Sequence, residues 1–181
     1  MENHGDLKRI GNNSPRYRVG LNLDAAWKGI DFSIFFQGVL KRDWMFDAGD
    51  PYFWGAGSGM WQAACFEEHM DYWTPENTDA YYPKPYFDET KNQQAQDAYM
   101  QKASYLRCKN IQLGYTLPTH ITEKAGISNC RIYLSCDNLF TITGLSSVYD
   151  PEVFGSYDGY GTSGKTYPLQ RTISVGVNLN F

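Results

Sequence analysis

Tyr167-Pro168-Leu169-Gln170-Arg171-Thr172-Ile173-Ser174-Val175-Gly176-Val177-Asn178-Leu179-Asn180-Phe181 is the stretch that decides the fold. From Thr172 onward it alternates strictly. Successive side chains of a strand point to opposite faces. Ile173, Val175, Val177, Leu179 and Phe181 therefore share one face. Thr172, Ser174, Gly176, Asn178 and Asn180 share the other. One face is apolar and the other is polar or small, so this strand separates two different surroundings.

Working backwards, four more segments carry the same period. Residues of about 130–143 alternate Ile132, Leu134 and Phe140 with Tyr133, Ser135 and Asp137. Residues of about 104–117 set Ile111, Leu113, Tyr115 and Leu117 against Cys108, Asn110, Gln112 and Gly114. Residues of about 30–41 place Ile30, Phe32, Ile34, Phe36 and Leu40 on one face, with Asp31, Ser33 and Gln37 on the other and Phe35 and Val39 as exceptions. Residues of about 15–27 oppose Tyr17, Val19, Leu21, Leu23, Ala25 and Trp27 to Arg18, Gly20, Asn22, Asp24 and Ala26. Lys28-Gly29 reads as a two-residue hairpin turn. Pro118 ends the third strand.

The links between strands alternate in length. Lys28-Gly29 is short, about 42–102 is very long, about 118–129 is moderate and about 144–166 is long. Outer-membrane barrels have short periplasmic turns and longer outer loops. With Phe181 at the periplasmic end, both long loops fall outside and both shorter links fall inside. Trp27, Tyr115 and Phe181 then sit near one rim, where aromatic girdles form. Within the long loop, Met60 to Met70 and Asn92 to Met100 are candidates for short helices.

Composition agrees with a two-faced β-protein. Aromatic residues make up 16% of the 181 positions, with 14 Tyr, and Gly occurs 17 times. A soluble carbohydrate-binding sandwich has the same composition, so that alternative stays open here. No run of about 18 apolar residues exists, which excludes a membrane-spanning helix but not strands of about 9–11 residues. The net charge of −4 argues against nucleic acid as a partner, since phosphate binding needs a basic surface. The polar start, Met1-Glu2-Asn3-His4-Gly5-Asp6, has no apolar leader region. A secreted barrel is thus expected to carry its leader on an earlier segment. Five strands cannot close a barrel, because the smallest have about eight, and open edges in lipid leave backbone groups unpaired.

Several stretches resemble the C-terminal region of the SusC/RagA-like, TonB-linked outer-membrane transporters. The most specific is Tyr105-Leu106-Arg107-Cys108-Lys109-Asn110-Ile111-Gln112-Leu113-Gly114-Tyr115-Thr116-Leu117-Pro118. It is flanked by Trp27-Lys28-Gly29-Ile30-Asp31-Phe32-Ser33, Asn138-Leu139-Phe140-Thr141, Tyr149-Asp150-Pro151-Glu152 and Tyr167-Pro168-Leu169-Gln170-Arg171-Thr172. The order and spacing agree from about residue 11 onward. Cys108 departs from the pattern, where an apolar residue such as Leu is expected. The resemblance implies an all-β, antiparallel transmembrane barrel of about 22 strands with a plugged lumen, of which this chain supplies the last five. It implies import of glycans or peptides in the outer membrane of a Gram-negative bacterium. It further implies a SusD-like surface lipoprotein as partner, TonB acting through a missing N-terminal part, contact with outer-membrane lipid, and contact with the plug and the rest of the barrel. A different outer-membrane barrel protein is the third alternative.

No enzyme emerges from the residues. His4, His69 and His120 are scattered, and no Ser/His/Asp or Cys/His set occurs. Glu67, Glu68, His69 and Asp71 match no metal-ligand spacing. Asp150 and Glu152 flank Pro151 as a turn rather than as two acids on opposite faces of a sugar. Cys65, Cys108, Cys130 and Cys136 contain no C-x-x-C pair, and Cys130 and Cys136 share a strand face. No catalytic residue, metal or cofactor is therefore expected. Candidate contacts for substrate or partner are the loop rings Tyr52, Phe53, Trp54, Trp61, Tyr72, Trp73, Tyr81 and Tyr82, together with Tyr86. The alternative for these rings is that they pack on one another. Asn110, Gln112 and Asp137 are candidate lumen-lining residues. Phe181, with Leu179, Val177 and Val175, is the expected C-terminal signal for barrel assembly.

Overall fold

Lys28 and Gly29 hold φ angles of 47° and 84°. Two consecutive positive φ values define the turn whose twist matches a tight hairpin. It joins β1 (Arg18–Trp27) to β2 (Ile30–Val39), with Trp27 opposite Ile30 and Arg18 opposite Val39. The computed structural model describes residues 8–58, 63–86, 91–154 and 166–181. The further strands are β3 (Asp43–Trp44), β4 (Gln101–Thr116), β5 (Asn129–Asp137), β6 (Thr141–Gly144) and β7 (Thr172–Asn180). They form one sheet in the order β1-β2-β4-β5-β7, with β3 and β6 each paired to β4. The pairings β1–β2, β2–β4, β3–β4, β4–β5 and β5–β7 are antiparallel.

Three expectations are corrected in detail. The segment expected as one strand over about 130–143 is two strands, β5 and β6. Asn138 breaks it at φ 51°, a left-handed conformation that Asn tolerates better than most residues. A bulge lies between the Phe35 and Phe36 rungs: Phe35 faces Asn110, but Phe36 faces Cys108. Lys109 is the extra residue, and parity reverses across it. Cys108 therefore lies on the apolar face with Phe36, not on the polar face with Asn110. The helices expected within about 60–70 and 92–100 are, among the described residues, single 3-10 turns at Glu67–Met70 and Asp97–Tyr99. Residues 59–62 lie outside the described set. The link after β4 is a short helix, Thr119–Thr122, that continues as a 3-10 turn to Ala125. Gly126 ends it at φ 70°, with Ile127 N–H donating to the Thr122 carbonyl and Gly126 N–H to that of Glu123. This is the glycine stop that satisfies a helix's last carbonyls.

The chain divides into two compact units. The sheet unit comprises residues 15–41, 104–143 and 169–181. Its register puts Leu23, Ile34, Ile111, Cys136 and Ile173 in one row on one face, and Ala25, Phe32, Leu113, Leu134 and Val175 in the next. This apolar face is open: Val175 is 75% exposed, Ile173 66% and Leu21 53%. A soluble sandwich would cover such a face with a second sheet. Trp27, Ile30, Tyr115, Ile132 and Val177 form a third row. Phe181, 87% exposed, follows β7 four residues beyond Val177, so it does not share that row.

The loop unit comprises residues 1–14, 42–103 and 144–168. It holds a buried cluster of Phe46, Phe53, Trp54, Tyr82, Tyr99, Ala103, Leu145, Tyr149 and Phe154. Phe46 stacks on Tyr149 at 4.2 Å and on Phe53 at 4.7 Å between ring centroids. Trp54 meets Tyr99 edge-on at 4.8 Å. Each such pair contributes about 0.5–1.5 kcal/mol beyond its buried area. A loop of this length is thereby a small packed body in its own right.

Candidate functional site

The polar face of the sheet unit is a hydrogen-bonded lattice rather than a row of independent side chains. Asn110 Nδ2 on β4 donates to Asp137 Oδ1 at 2.7 Å and to Ser135 Oγ at 3.3 Å on β5. Gln112 Oε1 accepts from Arg131 Nη2 at 3.0 Å. The same guanidinium reaches across β4 to β2, with Nε on Asp31 Oδ1 at 2.9 Å and Nη2 on Asp31 Oδ2 at 2.5 Å. Bidentate arginine–carboxylate pairs are geometrically specific and strong. This one ties β2 to β5, which share no direct pairing.

Two glycines make the lattice possible. A Cβ at Gly114 would lie 2.5 Å from Arg131 Nη2 and 2.5 Å from both Asp31 carboxylate oxygens. A Cβ at Gly176 would lie 2.3–2.6 Å from the Tyr133 ring and hydroxyl. The Arg131 guanidinium also sits 5.1 Å from the centre of the Tyr133 ring. Glycine inside a strand marks close approach by another group. On β1, Asn22 Nδ2 donates to Asp24.

The three expected lumen residues, Asn110, Gln112 and Asp137, thus lie on one face, and each is half-buried. Asp31, Arg131, Tyr133, Gly114 and Gly176 were not singled out from the sequence. Asp31 and Arg131 are 100 positions apart, and only the strand register brings them together. The legible signal was the pair of glycines interrupting two otherwise well-patterned strands.

In the loop unit the candidate rings divide. Phe53, Trp54 and Tyr82 are 0%, 6% and 6% exposed. That removes them from the set of contact residues as folded, because their faces are occupied by the loop's own rings. Tyr72, Trp73, Tyr81 and Tyr86 are exposed, and Tyr52 is half-buried with its ring edge-on to Phe66 at 5.8 Å. Trp61 lies outside the described residues. A bridge between Tyr72 and Tyr82, with Trp73 N–H donating to the Tyr82 carbonyl, holds these exposed rings on one short excursion.

The acidic side chains of the loop unit are occupied in holding it. Asp50, 5% exposed, accepts from Tyr52 N–H at 3.0 Å, Phe53 N–H at 2.9 Å and the Tyr149 hydroxyl at 2.9 Å. Burial pushes its carboxyl above the usual range, against those hydrogen bonds, and Asp47 adds a like charge. Burial, with Asp50 alongside, also pushes the Tyr149 hydroxyl upward. His69 Nδ1 accepts from Phe66 N–H at 3.0 Å, which leaves Nε2 to donate to the Phe53 carbonyl at 3.1 Å. Glu68 accepts from Ser146 Oγ at 2.6 Å, and Asp71 accepts from Asn77 Nδ2 and Tyr81 N–H. Asp150 Oδ1 accepts from Glu152 N–H at 2.9 Å, a turn contact. Among the described residues no group of three His, Cys, Asp or Glu side chains is placed to hold a metal ion. The four cysteines are unbonded.

No family model matches the chain. Among curated proteins it is 30% identical over 183 residues to TonB-dependent receptor P3 of Formosa agariphila, covering 97% of this chain and 17% of that protein. It is 28% identical over 184 residues to TonB-dependent receptor P26 of the same organism, covering 97% and 18%. Among solved structures it superposes on the RagAB peptide importer in the "open-open" state with a TM-score of 0.62, at 26% identity, over 93% of this chain and 17% of that one. The "closed-closed" state gives 0.63 at 23% identity, over 96% and 18%, a likeness of fold. This chain is a barrel segment of the SusC/RagA-like, TonB-dependent transporter type. It spans about a sixth of the length of the relatives it matches.

As a transporter segment, the sheet unit belongs in the outer membrane of a Gram-negative bacterium, where barrels turn an apolar face of this kind to lipid. The soluble sugar-binding sandwich is not favoured: among the described residues no second sheet covers that face. The relatives are receptors and transporters, not enzymes.

Proposed function

We propose that the protein to which this segment belongs imports glycans or peptides across the outer membrane, driven through TonB and capped by a SusD-like surface lipoprotein. The observation that supports this reading is the two-faced sheet, apolar on one face and hydrogen-bonded on the other, in a chain similar to TonB-dependent receptors along nearly its whole length. The open edges of β1 and β7 call for further strands, in a barrel of about 22, because unpaired strand edges are not tolerated in lipid. Phe181 marks the periplasmic end, and Val175, Val177, Leu179 and Phe181 serve as the assembly signal. The two long loops then lie outside.

In this reading Asn110, Gln112 and Asp137 face the lumen and the plug, while Tyr52, Tyr72, Trp73 and Tyr81 meet substrate or the lipoprotein. The segment performs no catalysis, and the energised step belongs to parts of the protein that it does not contain. Uptake of labelled oligosaccharide and oligopeptide pools, by cells with and without the intact gene and with and without TonB, tests it. Loss of uptake of one pool in both deletions is the expected result. Unchanged uptake of both pools would remove the importer reading.

A further inference from the structure

The turn between β1 and β2 holds a cation beside the apolar face of the sheet. Lys28 Nζ lies 4.8 Å from the centre of the Trp27 ring, and Trp27 shares that face with Ile30 and Tyr115. The ammonium therefore rests over the apolar side of the rim rather than the polar side. Lys28 is exposed and forms no ion pair among the described residues. Asp31, the carboxylate nearest to it in the sequence, lies on the other face and is engaged by Arg131. A lysine whose ammonium rests on an aromatic ring, with its charge unanswered, suits an anion at a membrane interface.

An apolar groove of about 480 Å³ begins beside this turn. It is lined by Ile30, Leu113, Tyr115, Ile132, Leu134 and Val175, among others, and its wall is almost wholly apolar. All six side chains are exposed. The turn is fixed against the groove: Thr116 N–H donates to the Gly29 carbonyl at 2.7 Å, and a Cβ at Gly29 would lie 3.5 Å from the Tyr115 ring. Cation and groove thus belong to one corner of the sheet unit, with the charge at one end and hydrocarbon beyond it.

That order selects the occupant. A protein segment would bring backbone donors and acceptors to a wall that offers them no partners. A sugar would leave the hydrocarbon wall unmatched. An anionic glycerophospholipid matches both ends, with a phosphate for the ammonium and an acyl chain for the groove. In the barrel arrangement above, the Lys28-Gly29 turn lies at the periplasmic rim, at the depth of the headgroups of the inner leaflet.

We propose that this corner binds one anionic glycerophospholipid of the periplasmic leaflet, its phosphate on the Lys28 ammonium and an acyl chain along the groove between β4 and β5. The inference rests on the barrel reading above and adds a lipid site that solute import does not itself require.

Native mass spectrometry of the full-length transporter in mild detergent tests it, by titration with phosphatidylglycerol or with phosphatidylcholine of the same chains. One phosphatidylglycerol is retained per barrel, ahead of phosphatidylcholine. Lys28→Gln weakens its retention about fivefold, the weight of one basic residue at a membrane surface, and removes the preference. Leu134→Trp, which fills the groove, weakens retention of both lipids. Lys124→Gln, which removes an exposed charge from the link after β4, changes neither. Retention that is unchanged in Lys28→Gln or in Leu134→Trp overturns the proposal. Equal losses in Lys28→Gln and Lys124→Gln overturn it in favour of general surface charge, and dimers without retained lipid overturn it in favour of a second copy on this face. Heat-dependent mobility after insertion into vesicles reports the barrel separately. An inserted barrel whose lipid retention ignores the variants refutes the lipid site alone, whereas a protein that never inserts refutes the barrel reading.

Discussion

The side chain of Gly114 is one hydrogen atom, and the Arg131–Asp31 pair passes directly over it. Gly114→Ala forces either the ion pair or the strand to move, because Arg131 and Asp31 are each held by the other. The expected cost is about 2–3 kcal/mol, combining overpacking with a weakened charged hydrogen bond. Gly176→Ala should behave alike, because it displaces the Tyr133 ring. Gly20→Ala is the control: its Cβ would meet the Phe35 ring at 3.5 Å, an ordinary contact, so its stability should stay within about 0.5 kcal/mol. Thermal unfolding of the full-length barrel in detergent separates the three. Equal effects at Gly114 and Gly20 would show that the lattice is not what constrains position 114.

Asp50 gives a pH signature at the same scale. Its folded carboxyl titrates above the ordinary value of 3.8. Folding therefore favours its protonated form. The stability it lends is fully present below pH 3.8 and is lost as pH rises through the raised folded value. Asp97 runs the other way, because Lys8 at 3.2 Å holds it below 3.8, so its contribution fades as pH falls. Asp50→Asn isolates the first effect: it keeps an acceptor for Phe53 N–H and the Tyr149 hydroxyl and removes the charge. Hydrogen-exchange protection of the segments around Phe53 and Tyr149 should fall with rising pH in the parent protein. In the variant this decline should be absent. Parallel slopes in the two would place the pH dependence elsewhere.

At the scale of elements, period-two alternation made the strands legible because each strand has an apolar and a polar side. The same pattern carried Asn110, Gln112 and Asp137 to their common face. It did not reveal where the period breaks. Lys109 reverses parity on β4 and moves Cys108 to the apolar face, and neither residue has a side chain that signals a bulge. Asn138 splits β5 from β6 through a backbone angle that a sequence shows only as a preference. The loop aromatics have no period at all, so burial of Phe53, Trp54 and Tyr82 and exposure of Trp73 and Tyr81 depend on contacts between distant segments. The partnership of Asp31 with Arg131 was hidden for the same reason.

The two faces of β7 allow a paired substitution. Val175 and Ser174 are neighbours, both exposed, on opposite faces. In a water-soluble sheet, Lys at Val175, 75% exposed, would be nearly neutral. In a bilayer, Val175→Lys should cost about 2–4 kcal/mol near the midplane and less toward the rims. Ser174→Lys should cost little in either case, since it lies exposed on the polar face. Folding of the full-length protein into lipid vesicles, followed by heat-dependent mobility on gels, measures the contrast. Equal folding of both variants would contradict the lipid assignment of the apolar face.

For the whole molecule, the division of the buried cluster is decisive. The large buried rings, Phe46, Phe53 and Phe154, all belong to the loop unit, and that unit is assembled from three separate stretches of chain. The chain stretches between them form the sheet. Among the described residues the sheet contributes few buried apolar side chains of its own and has two unpaired edges and one exposed apolar face. In water such a sheet exposes both a hydrophobic patch and a template for edge-to-edge association. The isolated 181-residue chain is therefore expected to associate in detergent-free buffer, without a cooperative monomeric unfolding transition. Within the full-length protein in membranes, the same strands should be among the most protected from hydrogen exchange, β1 and β7 included, because neighbouring strands then cover both edges. Sedimentation of the isolated chain and exchange of the whole protein are independent measurements. A monomeric, cooperatively folding chain in water would mean that the apolar face is covered by something other than lipid, and the barrel assignment would fall with it.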